Sequence, residues 1–160
     1  MKRLFLLLLL ATVFLPSGVA QATPPVTCTG EFAAIYSEIR DMRIADGNII
    51  IIQYSEFINT GCVEGISAGE NRIVLHPNGH LTMQGTRTFT GDVVLESGER
   101  LSGTYVFNQV GWGVANETFT VRTTILSGTG DLANLRGTSV TVGDFATNSG
   151  TYTNRYHFDP

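Results

Sequence analysis

Apolar and polar residues alternate one for one along several stretches of this chain. Over 101–109, Leu101, Tyr105 and Phe107 fall on one side, and Ser102, Thr104 and Asn108 on the other. Over 117–126, Phe119, Val121 and Ile125 oppose Thr118, Thr120, Arg122 and Thr124. Over 149–158, Tyr152, Tyr156 and Phe158 oppose Thr151, Thr153, Arg155 and His157. A period of two is that of a strand with one buried face, and β-branched threonines suit the exposed pleat. Eight strands are expected, at about 29–36, 48–59, 62–76, 80–96, 101–109, 115–126, 137–143 and 149–158. Turn-forming groups such as Asp46-Gly47-Asn48, Pro77-Asn78-Gly79 and Asn148-Ser149-Gly150 separate them. Even spacing with short joints points to one closed antiparallel meander rather than βαβ units. Residues 37–47 are ambiguous: Ile39 and Met42 sit at helical spacing, whereas Met42 and Ile44 alternate as in a strand.

The glycine-rich stretch Ser127–Thr138 breaks this pattern. Gly128 and Gly130 permit a sharp exit from a strand. Asp131 is placed to cap a helical turn whose Leu132 and Leu135 share a face and need burial. The open end of a barrel or sandwich would bury them, and an ordinary inter-strand loop with a leucine plug accounts for the stretch without any chemistry. Gly128-Thr129-Gly130-Asp131-Leu132-Ala133-Asn134-Leu135-Arg136-Gly137 resembles a segment of allene-oxide-cyclase-like barrels. That group includes allene oxide cyclases, dirigent proteins and a bacterial family of unknown function, to which the chain is most similar. Gly150-Thr151-Tyr152-Thr153 and Phe89-Thr90-Gly91 add to the resemblance. It implies an all-β, calycin-like, eight-stranded antiparallel barrel with an inner cavity, spanning Gly30 to Phe158. It carries over no catalytic residue.

Met1–Ala22 reads as a secretory signal: Lys2 and Arg3, then the apolar run Leu4–Leu15, then Ala20-Gln21-Ala22 as a cleavage pattern. That run of twelve residues is short against the roughly 20 needed to span a bilayer. A single exported domain, 23–160, is therefore expected in the periplasm or outside the cell, with no stable membrane insertion after cleavage. Losing Lys2 and Arg3 leaves eight basic residues against fourteen acidic ones, and no lysine. An acidic domain without a basic cluster does not suit nucleic acid, and the missing lysine excludes Schiff-base chemistry on a side-chain amine. Cys28 and Cys62 are the only cysteines, and an oxidising compartment favours a disulfide between them. Free thiols and a metal site are the alternatives.

Two charges break the alternation. Glu56 alternates in step with Ile50, Ile52, Tyr54 and Ile58, and Arg87 with Leu81, Met83 and Phe89. A buried charge needs a partner, a rim or water. They form either a structural ion pair or an inner polar site: Glu56 as acid/base or acceptor, Arg87 as binder of an anion or carbonyl, Tyr54 beside them. A ligand-binding surface of Tyr54, Glu56, Arg87, Tyr105, Phe107, Phe119, Tyr152 and Tyr156 follows, suited to a small apolar molecule. His76 and His80 flank a tight turn, but two imidazoles are too few for a dedicated metal site. Trp112, between two glycines, reads as a loop-tip aromatic or one folded onto the core edge. No metal or cofactor is expected, and no nucleophile elbow, phosphate loop or paired-glycosidase signature occurs. Catalytic residues and oligomeric state are left open. A ligand binder, a cyclase or isomerase in the same cavity, and a partner-binding protein with a filled barrel all fit this sequence.

Overall fold

The computed structural model describes Thr23–Pro160, so the expected secretory signal over Met1–Ala22 lies outside the described residues. Eight strands follow one another: β1 (Val26–Ala45), β2 (Asn48–Gly61), β3 (Val63–Leu75), β4 (His80–Val94), β5 (Arg100–Val114), β6 (Thr118–Gly130), β7 (Leu135–Asp144) and β8 (Ser149–Phe158). Each pairs antiparallel with its sequence neighbours, and β8 closes on β1, giving a closed barrel. No described residue is helical. The ambiguous segment 37–47 is the outer half of β1 and the turn after it. Extra residues at Ile35 and Arg40 bulge against β2, which accounts for its mixed periodicity.

The two ends of the barrel differ. At one end Leu132 and Leu135, 0% and 1% exposed, plug the interior and pack with Val63, Val93, Tyr152 and Tyr156. The plug is a single tight turn. Leu132 N–H donates to Thr129 O and Leu135 N–H to Leu132 O. A side chain at Gly128 would collide with the Leu132 carbonyl, so the chain can fold back on itself here only with glycine. Asp131 does not cap its own turn: its carboxylate accepts the Ser102 N–H of β5, tying the plug to the wall. The other end holds a smaller cluster, Leu81, Met83 and Val121 with Phe119 and Phe145.

Cys28 of β1 and Cys62, between β2 and β3, form a disulfide with Cα atoms 6.0 Å apart, beside the plugged end. Trp112 is not on a loop. It lies within β5, pairs in register with Thr82 and Thr120, and faces outward under the guanidinium of Arg122. His76 and His80 belong to the β3–β4 hairpin, and the His76 ring pairs with Asn48 at 2.8 Å.

Candidate functional site in the barrel interior

The barrel is not packed solid. An internal cavity of about 420 Å³ runs from the leucine plug, where Leu135 lines it, to the opposite end, where Ala115, Asn116 and Asn148 do. That volume lies in the range of small-molecule sites. Its wall is mainly apolar and aromatic: Phe32, Phe57, Phe89, Tyr105, Phe107 and Phe119. Room for the Phe119 ring depends on Gly143 opposite, where any Cβ would strike the ring. Phe89 stacks on Tyr105 at 4.7 Å between ring centres.

Arg87 and its polar neighbours stand on the β2–β5 side of the wall. Gln53 and Ser55 on β2, Ser67 and Asn71 on β3, Arg87 on β4 and Gln109 on β5 all face inward. Arg87 is at the centre of this group and only 2% exposed. Its Nη1 donates to Ser55 Oγ at 2.9 Å, and its Nη2 donates to Ser55 O at 2.7 Å and Ser67 O at 3.0 Å. Its guanidinium lies over the Phe57 ring at 4.6 Å, a cation–π contact. Every one of these partners is neutral. Among the described residues Arg87 has no ion pair, and no aspartate or glutamate lines the cavity. Burial lowers the Arg87 pKa to about 10, so the group stays cationic at neutral pH.

Of the candidate ligand-binding residues, Arg87, Tyr105, Phe107, Phe119, Tyr152 and Tyr156 line the cavity. Tyr54 and Glu56 do not. On β2 the inward residues are Ile51, Gln53, Ser55, Phe57 and Asn59, which leaves Tyr54 and Glu56 on the outer face. There the Tyr54 hydroxyl donates to Glu56 Oε1 at 2.9 Å, and Arg40 lies over the Tyr54 ring. The misreading has a physical source. β2 carries isoleucine on both faces, and its inner face is the more polar one, so alternation selects the wrong side. Glu56 and Arg87 are therefore not an ion pair. Ser55, Ser67, Asn71 and Gln109 were missed because short polar residues on a strand ordinarily signal exposure.

The tyrosines divide by role. The Tyr152 hydroxyl donates to Thr60 O at 2.8 Å and accepts from Val63 N–H at 3.2 Å, holding the β2–β3 turn to β8. Burial pushes its pKa up to about 12 and that of Tyr105 well above the ordinary phenol range. The Tyr156 hydroxyl is buried with no hydrogen-bond partner. A buried orphan of this kind costs about 1–3 kcal/mol.

No protein-family model matches this sequence, and no curated protein does. Among solved structures the barrel is similar to that of a protein of unknown function from the DUF3224 family of Shewanella oneidensis MR-1. The TM-score is 0.68 at 18% identity, covering 86% of this chain and 100% of that one. At that identity the likeness establishes the shared fold: an eight-stranded barrel found in a bacterial protein of unknown function.

Proposed function

We propose that this is an exported barrel that binds one small, mainly apolar molecule inside, with the ligand's polar end, an anion or a carbonyl, held at Arg87. The observation that supports it is a cation with only neutral partners on the wall of a mainly apolar cavity. An anion entering that space gains Coulombic attraction in a low-dielectric setting, and Arg87 gains the counter-charge it lacks. The aromatic wall supplies the apolar contact. Export rests on the amino-terminal signal pattern and agrees with the Cys28–Cys62 disulfide.

The resemblance to allene oxide cyclases and dirigent proteins keeps a cyclase or isomerase as the alternative. Binding is favoured over catalysis because no carboxylate or histidine lines the cavity, and its phenols are held protonated. A neutral fluorescent probe, N-phenyl-1-naphthylamine, should bind the purified protein. Tyr105→Ala or Tyr156→Ala should change its affinity, whereas Thr120→Ala on the outer wall should not. A probe that fails to bind, or binds all variants equally, refutes occupancy of this cavity.

A further inference from the structure

The barrel closes incompletely at its rim. β1 pairs with β8 only over Val26–Ala33, and beyond that one bond runs from Ala34 N–H to Asn148 O. From Ile35 to Ala45 the strand pairs with β2 alone, so its other edge is open among the described residues. This edge is about 35 Å long at ~3.3 Å per residue. It carries Ile35, Ile39, Met42 and Ile44, between 52% and 78% exposed. Long, apolar open edges pair with other strands unless something blocks them.

We propose that this edge pairs antiparallel with the same edge of a second copy, forming a two-fold symmetric dimer. The charges select one register. Placing each residue opposite the one whose number completes 81 sets Glu38 against Arg43, Arg40 against Asp41, and Ile39 against Met42. Every charge of the segment then meets its opposite. Sliding the copies by two residues sets Glu38 against Asp41 in one direction and Arg40 against Arg43 in the other, both like-charged.

In a regular strand this register would pair residues from opposite faces. The bulge at Arg40 removes that conflict. Glu38, Asp41 and Arg43 stand beside Tyr54, Ile52 and Ile50 on the outer face, while Ile39 and Met42 stand beside Gln53 and Ile51 on the inner one. Asp41 and Arg43 make no ion pair among the described residues, so both are available to the second copy. An isologous contact of this kind closes at two copies and so does not grow into a fibre.

Sedimentation velocity of the purified protein over a range of concentrations tests this. A monomer–dimer equilibrium is expected. Glu38→Arg or Arg43→Glu alone turns two attractive pairs into two repulsive ones and should weaken the dimer at least about tenfold. The double variant Glu38→Arg/Arg43→Glu should restore it. Far-ultraviolet circular dichroism should be unchanged throughout, since both side chains lie outside the core. A protein that is monomeric at every concentration, a dimer indifferent to the single reversals, or a double variant that fails to recover would overturn the proposal.

Discussion

Leu135→Ala tests whether the glycine-rich turn is a plug or a peripheral loop. Leu135 is 1% exposed and packs in the cluster that closes one end of the barrel. The substitution removes three carbons, worth about 2.4 kcal/mol at ~0.8 per buried methylene. The hole left behind adds ~24 cal/mol per Å3, so the total should lie near 3–4 kcal/mol. The site collapses poorly, because Leu132 and the barrel wall are held by strand pairing and by the Asp131–Ser102 hydrogen bond. Urea unfolding followed by tyrosine and tryptophan fluorescence should show the midpoint falling with little change in slope. A loss below about 1 kcal/mol would mean that the leucine is not buried as described, and that the plug does not close the barrel.

Breaking the disulfide with Cys28→Ala/Cys62→Ala removes a closure of sequence separation 34, and should cost about 3–4 kcal/mol in the same assay. Gly143→Ala should disturb the wall and lower thermal stability, because the new methyl meets the Phe119 ring; an unchanged melting temperature would count against that packing. Raising the pH should unfold the barrel cooperatively above about pH 10, where phenols ionise in the unfolded chain. The folded pKa values of Tyr105 and Tyr152 are raised, so their stabilisation is complete below that pH and is lost as pH climbs. Arg87, lowered to about 10, acts with the opposite sign, but the buried phenols outnumber it. Ionisation of all five tyrosines, rather than of the outer-face Tyr36 and Tyr54 alone, while near-ultraviolet dichroism stays intact would contradict the buried placement.

Alternation read most strands correctly wherever one face was aromatic and the other rich in threonine. Tyr105 and Phe107 on β5, and Tyr152 and Tyr156 on β8, are buried as that pattern requires. The plug leucines were legible too, since two leucines on a glycine-bounded turn need a place to be buried. β2 was not legible. Consecutive isoleucines 49–52 erase the alternation, and the inner face there carries glutamine, serine and asparagine, which line the cavity, Ser55 holding Arg87. Arg87 was visible as a charge out of step with its neighbours. Its partners, the Ser55 and Ser67 carbonyls on β2 and β3, depend on register that no local pattern encodes.

The central claim is that the cavity holds an apolar molecule with its polar end at Arg87. Isothermal titration of octanoate and of octanol into the delipidated protein and its Arg87→Met variant tests it most directly. The account predicts one octanoate per barrel, with affinity falling at least about tenfold in the variant, a loss of roughly 1.4 kcal/mol, while octanol binding changes little. Octanoate that does not bind, or that binds both proteins equally, would contradict it.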